Sequence, residues 1–330
     1  MQYRKLANTD ITVSAVAFGC WAIVGGFNWG HQEEKDSLAA LRAAYDAGIN
    51  FFDSAEGYGG GRSEQLLAKG LGDVRDQIVI ATKVSPRHFS PDELRAACER
   101  SLRYLNSDWI DLYQLHWPNR DIPIEETLGV LADLKQEGKI RAYGVSNFGR
   151  QDLDVCLATD YSIASNQLAY NLLFRAIEHE ILPLCVREGI SVLCYSPLMQ
   201  GMLTGKFASA DDVPEDRART RHYSSNRPQA RHGEAGAEAE TFAAVAQVQR
   251  LANDLGEPMA DVALAWLLAR EGVTSVIVGG RNADQARRNT RAAELKLPQE
   301  TVKQLSSATA ALKQKLGQSA DMWQSESRIR

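Results

Sequence analysis

Short apolar runs alternate with longer amphipathic stretches along most of this chain. Runs at 13–19, 49–53, 78–83, 109–116, 140–146, 162–167, 190–195 and 274–279 read as buried strands, because each is brief, largely apolar and bounded by turn formers. Between them lie helical patterns. At 36–47, Leu38, Leu41 and Tyr45 fall at helical spacing and Gly48 ends the run. A helix is expected at 63–71, and Ser90-Pro91-Asp92-Glu93 opens another with a Ser cap, an early Pro and early acids. After Pro123, residues Ile124, Leu128, Leu131 and Leu134 line one face. Further helices are expected near 149–158, 176–188, 259–270 and 283–291, with a helical tail over 299–316. Ahead of all this, residues 2–13 read as two short strands around Asn8-Thr9-Asp10, a hairpin pattern.

Eight strand–helix units predict one α/β domain spanning residues 1–330, a (β/α)8 TIM barrel with an N-terminal β-hairpin and a long loop after strand 7. An open doubly wound sheet would call for GxGxxG after an early strand, and Gly57-Tyr58-Gly59-Gly60-Gly61 lacks that spacing. The long loop, residues 204–238, carries Arg217, Arg219 and Arg221 at alternate positions. It reads either as a solvated surface loop or as a flap that brings cations to a pocket.

Composition narrows the function classes. The 330 residues are 44% hydrophobic and 24% charged, with a net charge of −5 and acids and bases intermixed. No basic run suggests a nucleic-acid partner. No apolar stretch approaches the ~20 residues of a membrane span, and no secretory h-region follows Met1-Gln2-Tyr3-Arg4-Lys5. The cysteines, Cys20, Cys98, Cys156, Cys185 and Cys194, form no CxxC pair, so reduced thiols in a cytoplasmic setting are expected.

In a barrel the site lies where strands end at their C-terminal face. The expected strand ends here carry Asp53 with Tyr58 just beyond, Lys83, His116, Ser146-Asn147, Gln167 and Tyr195-Ser196. Each has an ordinary reading: turn chemistry for Asp53 and Tyr58, a surface lysine, a hydrogen-bonded structural imidazole, a helix cap. Their joint occurrence favours a site. A lysine ammonium near a phenol is expected to lower the phenol's pKa, the Asp to hold the lysine charged, and the imidazole to hydrogen-bond a substrate oxygen. That set suits proton donation to a carbonyl becoming an alkoxide, and hydride delivery then needs a nicotinamide cofactor. A metal site reads poorly, since there is no HxH or HExxH pair and Lys83 would place a positive charge beside Asp53 and His116.

These residues, with Phe18-Gly19-Cys20-Trp21, Gly144-Val145-Ser146-Asn147, Asn166-Gln167, Tyr195-Ser196-Pro197-Leu198 and Gly201 to Lys206, resemble the aldo-keto reductase family across nearly the whole chain. The resemblance implies an NADPH (NADP+)-dependent reduction of a small-molecule aldehyde or ketone. It implies Tyr58 as general acid tuned by Lys83 and Asp53, and His116 as the orienter of the carbonyl. It places Ser146, Asn147, Gln167 and Tyr195 on the nicotinamide side and Ser196, Leu198 and Lys206 along the pyrophosphate, with Trp21, Pro197 and Gly201 also among the cofactor-binding residues. Gly279, Arg281, Gln285 and Asn289 fall at the adenosine end, with Arg281 on the 2′-phosphate. Many relatives carry Pro at the position of Val278 and an acid at that of Arg288; the arginine adds a cation that favours NADPH. Trp29, Trp117 and Trp323 are expected to help shape the substrate pocket. The chain also resembles the reductase-like β subunits of potassium channels, which tend to carry Asn at the position of His116.

Overall fold

Eight parallel strands close on themselves. The structure, a computed structural model, describes residues 1–26 and 29–330. The strands β1 (Tyr3–Lys5) and β2 (Thr12–Ser14) pair antiparallel as the expected hairpin. The barrel runs β3 (Val16–Gly19), β4 (Phe51–Asp53), β5 (Val79–Val84), β6 (Ile110–Leu115), β7 (Ile140–Ser146), β8 (Ser165–Ala169), β9 (Ser191–Tyr195) and β10 (Val273–Gly279), with β10 pairing back onto β3. The run at 13–19 is thus two strands. At Ala15 the chain leaves the hairpin for the barrel, its N–H bonded to Gln2 and its carbonyl to Val276.

Helices follow the strands: α1 (Glu34–Asp46), α2 (Arg62–Leu71), α3 (Pro91–Leu105), α4 (Ile124–Gln136), α5 (Arg150–Leu157), α6 (Ile181–Arg187), α7 (Glu238–Asp254), α8 (Met259–Leu268), α9 (Ala283–Asn289), α10 (Gln299–Ala308) and α11 (Ala310–Leu316). Helix α7 is absent from the sequence expectation. It buries Thr241, Ala244, Val245, Val248 and Ala252, a face of small residues with weak apolar contrast. It packs on α8, α10 and α11. The expected single tail helix is broken at Thr309.

Alternation along the strands builds two cores. Ala17, Phe51, Val79, Ala81, Leu112, Ala142, Leu193 and Ile277 fill the barrel interior together with Leu6, Ile11 and Val13 of the hairpin region, which therefore plugs the barrel. Outward residues such as Phe52, Ile80, Tyr113, Tyr143 and Val145 pack under the helices. Because side chains alternate with period two, the inward positions two residues beyond Phe51, Ala81 and Leu112 are Asp53, Lys83 and Gln114. The apolar interior thus gives way to a polar layer at the C-terminal end. Gly144 belongs to this layer as a close approach: a Cβ there would fall 2.3 Å from Ser165 Oγ.

Loop 204–238 is tied down rather than free. Buried Arg221 pairs with Glu234 and donates to the carbonyls of Leu316, Ser319 and Asp321. Buried His222 hydrogen-bonds the Leu173 carbonyl at 3.0 Å, and burial first, then neighbouring Arg221 and His232, hold its imidazole down at about 4 against the help of that carbonyl.

Candidate active site

The polar layer centres on a buried ion pair. Lys83 Nζ donates to Asp53 Oδ1 at 2.5 Å and to the Ser54 carbonyl at 2.8 Å. The second Asp53 oxygen accepts from Gln167 Nε2 at 2.7 Å and from Gln114 Nε2 at 3.4 Å. Burial opposes the Lys83 charge, but Asp53, joined by Tyr58, outweighs it and raises the ammonium's pKa. Gln114 is the residue that the sequence reading missed. Its signal was a polar side chain two places before His116 in an otherwise apolar strand end.

The turn after β4 carries Tyr58 over this pair. Lys83 Nζ lies 5.2 Å from the Tyr58 ring centroid. Glu56 braces the same turn, accepting from Ser85 N at 2.7 Å and Arg100 Nη2 at 3.1 Å and bonding His88 Nδ1 at 2.8 Å. Trp21 stacks on Tyr58 with centroids 5.8 Å apart and planes 19° apart, and Trp29 meets Trp21 edge-on. His116 approaches Tyr58 edge-on at 5.9 Å. Burial, helped by the Lys83 charge, drives the His116 imidazole down to about 3, so it is neutral at physiological pH.

One expectation is corrected here. The phenol of Tyr58 is raised above its ordinary value, not lowered. Burial is the largest cause, and although Lys83 pulls the value down, Asp53 pushes it up again. A lysine held against a carboxylate acts on its neighbour as a dipole, too weak to offset desolvation of a phenolate.

Next to His116 the ends of β7, β8 and β9 interlock. Asn147 adopts the left-handed conformation at φ 62°. Its amide donates to the His116 carbonyl at 3.0 Å, and its oxygen accepts from the Tyr195 hydroxyl at 2.8 Å. Ser146 Oγ donates to the Gln167 carbonyl at 3.0 Å. Asn166, by contrast, points outward and ties Phe148. Trp117 and Trp323 flank this rim, under the guanidinium groups of Arg328 at 3.9 Å and Arg219 at 4.9 Å.

Beyond β9 the backbone is unusual. Ser196, Met199 and Gln200 all have positive φ, and Gly201 sits at φ +98°, where a Cβ would come within 2.8 Å of Lys206 Nζ. Pro197 is buried and Leu198 half-buried. The Arg217 guanidinium approaches the same glycine. Partial burial, and then Arg217, lower the Lys206 ammonium. Among the described residues neither cation is ion-paired, whereas Arg221 and Arg227 are. Two like charges meeting without a carboxylate suit an anion such as a pyrophosphate. The expected flap thus divides: Arg217 stands with Lys206, Arg219 on Trp323, and Arg221 is a structural clamp.

The adenosine-end residues gather after β10. The Arg281 guanidinium donates to Gln32 Oε1 at 2.7 Å and to the His31 carbonyl, and Gln285 Oε1 accepts from Arg281 N at 2.9 Å. Asn289 donates to the Gly279 carbonyl at 3.1 Å, and Arg288 is exposed. Val278 is buried. The cysteines are all buried and free, and among the described residues no helix is long and apolar enough to cross a membrane.

Comparison with known proteins agrees with this architecture. Residues 15–310 match the family model "Aldo/keto reductase family". The chain is 36% identical over 296 residues to aldo-keto reductase YhdN of Bacillus subtilis, covering 86% of each chain. It is 33% identical to the NADH-specific methylglyoxal reductase of Escherichia coli, over 90% of this chain and 95% of that one. An aldo-keto reductase from Klebsiella pneumoniae, solved in complex with NADPH, superposes with a TM-score of 0.73 at 28% identity, covering 93% of this chain and 95% of that one.

Proposed function

The chain belongs to the aldo/keto reductase family, whose chemistry is nicotinamide-dependent carbonyl reduction, and on that premise we propose that it is an NADPH-dependent enzyme in which Tyr58 protonates an aldehyde or ketone oxygen. The observation that carries this reading is the stack at the barrel mouth: Asp53 holds Lys83, Lys83 lies under Tyr58, and His116 meets Tyr58 edge-on.

The raised phenol keeps its proton at neutral pH, which is the state an acid needs. As the carbonyl becomes an alkoxide, Tyr58 gives up that proton and Lys83 stabilises the phenolate left behind. Neutral His116 donates a ring N–H to the same oxygen and fixes its position. When bound, the reduced nicotinamide supplies the hydride that no side chain of the protein can.

Ser146, Asn147 and Gln167 are assigned to the carboxamide, and Trp21 and Tyr195 to the flanks of the ring. Ser196, Pro197, Leu198, Gly201, Lys206 and Arg217 form the pyrophosphate cradle. Gly279, Gln285 and Asn289 hold the adenosine end, with Arg281 and Arg288 offered to a 2′-phosphate. The whole chain acts as one barrel unit, and its free thiols fit a reducing compartment such as the cytoplasm.

Tyr58→Phe is the test. Turnover of a generic aldehyde with NADPH should be abolished while quenching of protein fluorescence by NADPH is retained; turnover that survives the substitution refutes the acid role. For the cofactor, Arg281→Ala should weaken NADPH and spare NADH. Equal binding of the two by the parent protein, unchanged in the variant, removes the 2′-phosphate assignment.

A further inference from the structure

The loop over the barrel mouth holds six cations: Lys206, Arg217, Arg219, Arg221, Arg227 and Arg231. Arg221 and Arg227 are paired with carboxylates, and Arg217 stands with Lys206 beside Gly201. Arg219 is different. Its guanidinium lies 4.9 Å from the centroid of the Trp323 ring. The residue is half-buried, and its Nε has no hydrogen-bond partner among the described residues. Asp216 faces it from beyond ion-pair reach, and Arg231 adds a second positive charge nearby.

Its neighbours place it at the barrel mouth, beside the residues assigned to the nicotinamide end, where a carbonyl must meet the cofactor. Trp323 stands against the Tyr195 hydroxyl, which bonds Asn147, which in turn holds the His116 carbonyl. Across the rim Arg328 covers Trp117 in the same manner, but Arg328 is neutralised by Asp321 at 2.7 Å. Of the two arginine–tryptophan stacks at this mouth, one is therefore charge-balanced and the other is not. A planar guanidinium fixed by stacking and lacking an anion is preorganised for a carboxylate or phosphate.

We propose that Arg219 recognises an anionic group on the carbonyl substrate, so that the preferred substrates are aldehydes or ketones bearing a carboxylate or a phosphate. This rests on the carbonyl-reductase reading and specifies its substrate class.

The experiment compares matched pairs at saturating NADPH: butanal against succinic semialdehyde, and glyceraldehyde against glyceraldehyde 3-phosphate. The native protein should favour the charged member of at least one pair by about 10-fold or more in kcat/KM, and the pair that does so identifies carboxylate or phosphate. Arg219→Met, which removes the guanidinium but keeps an unbranched apolar stem beside Trp323, should collapse that ratio mainly through KM, and Arg219→Lys should restore part of it. A ratio that is the same in native protein and Arg219→Met overturns the proposal. So does a loss shared equally by charged and neutral substrates and traced to NADPH affinity, which would assign Arg219 to the cofactor phosphates. Calorimetric titration of the NADP+-loaded protein with succinate and with inorganic phosphate gives a readout without turnover. Binding weakened about 10-fold in Arg219→Met supports the proposal even where no carbonyl is reduced, and equal binding to both proteins overturns it. Failure of the reductase reading itself would appear separately, as absence of turnover on every carbonyl tried.

Discussion

Lys83 Nζ sits 2.5 Å from Asp53 Oδ1 with side chains 1% and 4% exposed, so the candidate site is built on an ion pair almost wholly removed from water. Breaking such a pair from one side leaves a buried charge without a partner. Asp53→Asn or Lys83→Met alone should cost about 3–5 kcal/mol of stability, by analogy with other buried pairs. The double change Asp53→Asn/Lys83→Met should cost clearly less than the sum of the singles. Urea unfolding of the three variants measures this, and strict additivity would show that the pair is not coupled.

The pKa directions make a statement about the rate profile. In the role proposed for it Tyr58 acts as an acid only while protonated, and its pKa is raised above the ordinary phenol value of about 10. His116, at about 3, is already neutral at every pH near 7. Carbonyl reduction should therefore show no limb from either group between about pH 5 and 9. A steady fall in kcat from pH 7 to 9, absent in a pH-matched solvent control, would indicate that the phenol is acidified instead. His116→Asn should lower kcat/KM by about 10²-fold or more, the usual effect of losing one donor to a developing oxyanion, with NADPH binding spared.

Glu178 ties the segment after β8 to distant helices. It accepts from Arg175, Lys313 and the Tyr170 hydroxyl. Burial alone would raise its carboxyl, but these partners together bring it down to about 2 from 4.5. A depressed folded-state value means stability that is present above pH 4.5 and lost as pH falls toward 2. At about 1.4 kcal/mol per pKa unit, roughly 3 kcal/mol is at stake. Glu178→Gln should flatten the acid side of the unfolding free energy between pH 4.5 and 2 while lowering stability at pH 7. Parallel acid-unfolding curves for variant and parent would contradict the assignment.

The arginines of loop 204–238 should separate by role. Arg221→Ala strips the clamp from Glu234 and the carbonyls of Leu316, Ser319 and Asp321, and should lower stability by about 3 kcal/mol or more. Arg217→Ala touches no such network. Arg217 is half-buried and without an ion pair among the described residues, so its loss should cost far less stability than Arg221→Ala, and raise the NADPH dissociation constant in a salt-dependent way. Thermal melts alongside fluorescence titrations at two ionic strengths distinguish the two.

Local pattern and chemical type made the barrel and much of its rim legible from chain order alone. Brief apolar runs between turn formers locate every barrel strand, and the polar residues that close those runs, Asp53, Lys83, His116, Ser146 and Tyr195, are visible because they interrupt them. Helix α7 escaped because its buried face consists of small residues, Thr241, Ala244, Val245, Val248 and Ala252, with little apolar contrast to the rest of the helix. Gln114 escaped because one polar residue inside a strand reads as noise until its neighbours in space are known. Three features emerge only when distant segments are brought together. Tyr58 is raised rather than lowered because Asp53 and burial surround it together. Arg217, Arg219 and Arg221 have separate surroundings because Gly201, Trp323 and Glu234, respectively, lie at different places under one loop. The rim, finally, exists only once β10 pairs with β3. In each case the energy depends on distance and burial, and chain order encodes neither for residues that are far apart along it.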